Sequence, residues 1–307
     1  MPQLIRRSPR GEAPQRPALP ADLMRKVRRI EISTKRLVDQ GMAGNYHSAF
    51  KGRGVEFVDV RPYEPGDEIR SIDWNVTARM GQAYVKRYVE ERDLTVFLAV
   101  DVSGSLGFGS RAILKRELAA ELTALLAFAA VRNQDRVGAA LLADSLQLYL
   151  RPECRRAHVL RIVREILLRP AVGGTDLDRG LLAVLRNLKQ RSVLFLVSDF
   201  LDAVPAAALK AAAARHDLVV LELLDPRDHQ PPVTAPVVLR DAETGRLALV
   251  GGRRMARRHA ERRRRERQEL VRLTRRLGVD HLILRTDRPY LGALVGFFER
   301  RRRRLAR

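Results

Sequence analysis

From Leu94 onward the chain alternates two rhythms. The stretches "LTVFLAV" (94–100), "RVGAALLA" (136–143), "SVLFLVS" (192–198), "HDLVVLELL" (216–224) and "VDHLILRT" (279–286) are mostly apolar and of strand length. Runs with so little polar alternation suit strands buried on both faces of a sheet. Between them, apolar positions recur at helical spacing over about 112–132, 154–168, 178–189, 205–214 and 254–277. Strand–helix alternation predicts an α/β fold: an open, mostly parallel sheet with helices on both faces. Within that order, "VVLRDAETGRLALV" (237–250) reads as a hairpin turning at Glu243-Thr244-Gly245.

Upstream the pattern differs. Residues 1–20 are polar and interrupted by Pro2, Pro9, Pro14, Pro17 and Pro20, which predicts a disordered tail. Over 21–38 the apolar positions Leu23, Met24, Val27, Ile30, Ile32 and Leu37 predict an amphipathic helix. Residues 41–92 set short alternating runs, "VEFVDV" and "AYVKRYV", between glycines and a Pro65-Gly66 turn, and predict a small β-rich subdomain. Four regions follow: the tail 1–20, the helix and β-rich segment 21–92, an α/β domain 93–225, and 226–307 completing the fold.

Composition narrows the class. With 307 residues, 46% of them hydrophobic, the chain can bury a full core. Its single cysteine, Cys154, cannot form an intramolecular disulfide, and the six histidines show no zinc spacing. No apolar run approaches the roughly 18 residues of a membrane span. The expectation is a soluble cytoplasmic protein without a signal peptide.

The net charge of +22 sits at the ends: residues 1–30 carry +6 and residues 253–307 carry +14. The stretch "RRMARRHAERRRRERQELVRLTRR" (253–276) reads first as a solvated helix, next as a face for an acidic partner, and last as a nucleic-acid or lipid contact.

The candidate chemistry begins where the first buried strand ends, in "DVSGSLGFGSR" (101–111). Gly104 and Gly109 have the spacing of a phosphate loop, but Ser110 and Arg111 stand where that loop needs lysine and a hydroxyl. The dinucleotide pattern also fails, since the glycines fall at 104, 107 and 109. As a phosphatase nucleophile, Asp101 would lack the second acid two positions on, where Ser103 stands. What remains is a set of oxygen ligands, Asp101, Ser103 and Ser105, of the kind hard divalent cations prefer. Further oxygens come from "VGGTDLDRGL", with Thr175 after a Gly-Gly turn, and from "SVLFLVSDFLD", with Asp199 just past a buried strand. If the two strands are parallel neighbours, both aspartates lie at the ligand-collecting rim of the sheet.

Asp101, Ser103, Ser105, Thr175 and Asp199, in that order, resemble the metal-ion-dependent adhesion site of von Willebrand factor A domains over residues 93–225. The upstream segment "GRGVEFVDVRPYEPGDEIRSIDWNVTARMGQAYVKRYVEERD", with the ending "FFERR", is similar to bacterial proteins of domain of unknown function family 58. That resemblance implies a von Willebrand factor A-like fold and a non-enzymatic protein. It implies Mg²⁺, or Mn²⁺ or Ca²⁺, held by Asp101, Ser103, Ser105 and Thr175, with Asp199 acting through water. A carboxylate from a client protein would complete the coordination, and a MoxR-type AAA+ ATPase would be the working partner. Arg61, Asp67, Arg70, Asp73, Trp74 and Arg79 have two readings: a clamp onto the α/β domain, or a docking face for that ATPase.

Overall fold

The computed structural model describes residues 21–50, 55–90, 94–110, 113–169, 174–229, 237–240, 247–250 and 253–305. The expected tail 1–20 and the turn at 243–245 lie outside them. The chain opens with helices α1 (Ala21–Leu37) and α2 (Ala43–Phe50), then strand β1 (Val55–Pro62), helix α3 (Trp74–Met80) and strand β2 (Tyr84–Glu90). There follow β3 (Thr95–Asp101), α4 (Lys115–Arg132), β4 (Arg136–Leu142), β5 (Leu146–Glu153), α5 (Arg156–Leu168), α6 (Leu177–Asn187), β6 (Val193–Ser198), α7 (Ala206–Arg215) and β7 (Asp217–Leu224). The last elements are α8 (Pro226–His229), the hairpin β8 (Val237–Arg240) and β9 (Leu247–Val250), α9 (Arg253–Arg276), β10 (Asp280–Arg285) and α10 (Leu291–Leu305).

Among the described residues the central sheet has six strands in the order β10-β7-β6-β3-β4-β5. All neighbours pair in parallel except β4 and β5. Alternate residues of each strand serve opposite faces. Val96, Leu98 and Val100 of β3 join a core with α1, α2, α4, α5 and α10, while Phe97 and Ala99 face a second core with α6, α7 and α9. Burial on both sides is why these strands carry no polar alternation. Gly138 on β4 is a packing requirement: a Cβ there would come within 2.7 Å of the Phe97 ring.

Three elements depart from the sequence pattern, α2, β5 and the short helix α3 within the expected β-rich stretch. Residues 43–50, expected in a β-rich stretch, are helical, because Ala43, Tyr46, Ala49 and Phe50 present one apolar face to the core. Phe50 meets Phe195 and Phe298 edge-on, and the Tyr46 hydroxyl donates to Asp135 at 2.9 Å. Strand β5 was not legible, since as an antiparallel edge it is only partly buried. At the C-terminus the buried Arg301 donates to the Ala49 carbonyl, lies over the Phe50 ring and pairs with Asp217 and Asp280, fastening α10 across the fold.

Candidate functional site

Strand order fixes where a ligand can bind. The first strand of the domain, β3, lies between β4 and β6, so the chain winds outward from it in both directions, and crevices form at such switch points beyond the carboxyl ends. Asp101 ends β3 and Asp199 follows β6, and Val100 stands opposite Val197 in the parallel register. The structure therefore brings these two predicted aspartates to one rim.

Asp101 is fully buried, and both its oxygens are engaged. Oδ1 accepts from the Ser103 amide at 2.9 Å, and Oδ2 from the Ser198 hydroxyl at 2.6 Å. Ser103 Oγ and Ser105 Oγ stand 3.1 Å apart in the turn after β3. Burial pushes the Asp101 carboxyl up to about 7, the neighbouring Asp199 charge adds to the rise, and the Ser198 and Ser103 hydrogen bonds oppose it. The turn is pinned from a distance: the Ser110 amide and hydroxyl donate to Asp225 at 2.9 and 2.6 Å, and Thr286 donates to the same carboxylate at 2.7 Å. Gly109 is required here, because a Cβ would lie 2.7 Å from the Ile113 carbonyl.

Thr175 is half-buried and directly precedes Asp176, the N-cap of α6, whose amide donates to the Ala143 carbonyl beyond β4 at 2.8 Å. Its loop thus starts from the β4 side of the same sheet edge.

Asp199 has a partner that the sequence did not suggest. The Lys115 ammonium, with no exposed surface, donates to Asp199 Oδ2 at 2.6 Å and to both oxygens of Asp228 at 3.2 and 3.1 Å. Burial alone would lower the Lys115 pKa, but the Asp199 and Asp228 carboxylates outweigh it and hold it above the ordinary lysine value. After Asp199, Phe200 takes a left-handed backbone with φ of 48°, a conformation that costs a bulky residue on the order of 1–3 kcal/mol. Arg263 of α9 holds it there by donating to the carbonyls of Phe200 at 3.0 Å and Leu201 at 2.7 Å. Lys115, Ser198, Asp228 and Arg263 are the site residues that sequence reasoning missed. One faint signal existed, since Lys115 is one of only seven lysines among 58 basic residues.

The donor set suits a hard cation. Among the described residues no group of three or more His, Cys, Asp or Glu side chains is gathered to hold a metal, so any ion here would rely on hydroxyls as well as carboxylates. Asp101 has no lysine or arginine partner among the described residues, and a buried carboxylate without one is where a cation gains most. Each carboxylate oxygen also has two acceptor positions, so one hydrogen bond apiece leaves room for a further contact.

The upstream candidates lie elsewhere. Arg61 pairs with Asp67 at 2.6 Å, and Asp73 caps α3 by accepting from the amides of Asn75 and Val76. Trp74, Arg70 and Arg79 are exposed, as are Ile69 and Met80. Among the described residues this segment packs mainly on itself, β1 against β2, with α3 and the turn at 69–71 on β2.

Helix α9 has two unlike faces. Arg263, Arg267 and Leu270 point inward, reaching Phe200, Glu222 and the second core respectively, and the exposed His259 contacts the Asp228 carbonyl. Arg254, Arg258, Arg262, Arg265, Arg272 and Arg276 are exposed and fall within about 80° of helical arc over about 33 Å.

A family model described as "Protein of unknown function DUF58" matches residues 59–270. The uncharacterized protein Rv1480 of Mycobacterium tuberculosis is 33% identical over 90% of this chain and 89% of its own length. An uncharacterized protein of Mycobacterium avium, MAV169, is 35% identical over 42% of this chain and 77% of its own. Among solved structures, the conserved hypothetical protein BatB of Bacteroides thetaiotaomicron aligns over 68% of this chain and 99% of its own, with a TM-score of 0.45 and 17% identity. The SpRpn10 VWA domain aligns over 66% of this chain and 93% of its own, with a TM-score of 0.41 and 10% identity. Among the described residues no helix is long and apolar enough to cross a membrane.

Proposed function

This chain belongs to the DUF58 family, and on that premise we propose that it is a non-enzymatic, metal-dependent protein-binding adaptor that works with a MoxR-type AAA+ ATPase. The observation that carries the proposal is the buried Asp101 carboxylate beside the Ser103–Ser105 hydroxyl pair, at the switch point of an open α/β sheet. Asp101, Ser103 and Ser105 would hold a divalent cation such as Mg²⁺, with Thr175 and Asp199 approaching from the neighbouring loops. Bound there, the ion offers an open coordination position to a carboxylate of the partner protein, the ATPase or its client. Ser198 fixes the Asp101 carboxylate, Asp225 fixes the serine turn through Ser110, and Arg263 fixes the Asp199 loop.

The same proposal gives Trp74, with Arg61, Asp67, Arg70, Asp73 and Arg79 around it, the role of the ATPase docking face. An exposed tryptophan flanked by exposed Ile69 and Met80 is a natural anchor for a protein surface.

Capture of a MoxR-type ATPase by the tagged protein tests the reading. Capture is expected in Mg²⁺ and is lost on chelation or with Asp101→Ala. Capture that survives both would overturn the metal-mediated contact.

The exposed arginine stripe of α9 favours a second reading, binding of an acidic surface or nucleic acid through the basic ends. That binding would weaken steeply with salt and ignore chelation of Mg²⁺.

A further inference from the structure

Among the described residues Lys115 is the most deeply buried base, and the binding role proposed above does not use it. A lysine with no exposed surface is rare unless its ammonium is fully paired. Here the three N–H donors meet Asp199 Oδ2 and the two oxygens of Asp228, and the Phe108 ring lies 5.6 Å from Nζ. The residue opens α4, where the helix dipole disfavours a positive charge, so the carboxylates rather than the helix hold it in place.

The charge balance is uneven. Asp101 and Asp199 are buried and the Asp228 side chain is only 6% exposed, and Lys115 is the one base that pairs with any of them among the described residues. Asp199 is the point of overlap: it stands close enough to Asp101 to raise that carboxyl, yet its Oδ2 belongs to Lys115. Asp228 grips the same ammonium with both oxygens and is itself steadied by the Asp225 amide at 3.2 Å. A cavity of about 10 Å³ lies beside the pair, bordered by Asp199, Asp228 and Arg263.

We propose that Lys115 is a built-in counter-ion of the site: it occupies Asp199 when no divalent cation is bound and retreats onto Asp228 alone when one binds, releasing Asp199 to the ion. This rests on the cation site proposed above and adds the residue that sets its affinity. Lys115 is a positioning residue in this scheme, acting on the ion through Asp199, and Asp228 is the place to which its charge withdraws.

The scheme predicts opposite signs for two neighbouring substitutions, which a purely structural role would not. Lys115→Met removes the competitor and raises ion affinity, while Asp228→Asn removes the refuge, leaves Lys115 on Asp199 and lowers it. One unit charge a few ångströms away in a partly screened site corresponds to a change of about tenfold or more in each direction. Because Lys115→Met strands two buried carboxylates, Lys115→Met combined with Asp228→Asn restores the balance and serves as its folded counterpart.

Mn²⁺ titration by calorimetry and by the spin-resonance signal of the free ion, with thermal unfolding to monitor the fold, tests this on the full chain. The expected order of affinity is the double variant above wild type and wild type above Asp228→Asn. A double variant that binds no tighter than wild type, or Asp228→Asn equal to wild type, overturns the role of Lys115 while leaving the cation site standing. Binding in the double variant but not in wild type supports the scheme in its strongest form. No binding in any of the three overturns both the scheme and the cation site.

Discussion

At the carboxyl edge of the sheet, Asp101, Lys115 and Asp199 are ionisable groups with almost no exposed surface; in the segment from β1 to β2, Ile69, Trp74 and Met80 are large apolar side chains that are 68%, 67% and 59% exposed. Each region inverts the usual placement of its residue types. Buried charge is costly unless compensated, so under the proposed reading the sheet edge would gain from a cation. Exposed aromatic and aliphatic surface gains by leaving water, so under the same reading the upstream segment would gain from a protein partner. The proposal thus gives one chain two unlike sites, one for charge and one for apolar shape.

After loss of Asp101 itself, the largest effect should come from removing the hydroxyl pair. Ser103→Ala with Ser105→Ala should lower Mn²⁺ affinity more than about 100-fold, since even indirect partners of a metal are worth 10–100-fold. The fold should survive so small a change, and calorimetry beside a thermal scan separates the two outcomes. Next, Trp74→Ala should weaken ATPase capture by about 30-fold, about 2 kcal/mol, as an anchor residue does. Its ion affinity and melting temperature should match wild type, and loss of both would mean that the two regions are not independent.

A smaller signature lies in pH. In the folded chain burial pushes the Asp101 carboxyl up to about 7, whereas in the unfolded chain it ionises near the ordinary value of 3.8. The folded state therefore holds the extra proton between those values, and this stabilisation, fully present below about pH 4, is lost as pH rises through about 7. The slope contributed by this one group is at most about 1.4 kcal/mol per pH unit. Urea unfolding of wild type and Asp101→Asn across that window checks it, and the variant should lack the slope. The smallest effect is expected on α9, where serine at Arg258, Arg265 and Arg272 should leave stability within about 0.5 kcal/mol and capture in Mg²⁺ unchanged. A large loss of capture there, with steep salt dependence, would instead favour the basic-surface reading.

Much of the scaffold was legible because its strands are buried on both faces. The runs ending at Asp101 and before Asp199 contain little but apolar residues, and their parallel pairing follows from strand–helix alternation. Strand β5 escaped because an edge strand mixes exposed and buried positions, and α3 because seven residues between turns carry too little periodicity. Asp101 and Asp199 could be named from their place at strand ends. Lys115 could not, because its meaning comes from Asp199, 84 residues on, and Asp228, 113 residues on. Phe200 gave no warning of a left-handed backbone either, since the carbonyl clamp that holds it comes from Arg263 on a different helix.

The central claim is that the carboxyl edge holds a cation through Asp101 and its serines. Calorimetric titration of Mg²⁺ and Mn²⁺ into the wild-type chain and into Asp101→Ala addresses it directly. The account predicts saturable binding of one ion to the wild type and none to the variant. Equal binding by both proteins would contradict it, as would no binding by wild type together with none by the balanced Lys115→Met, Asp228→Asn variant.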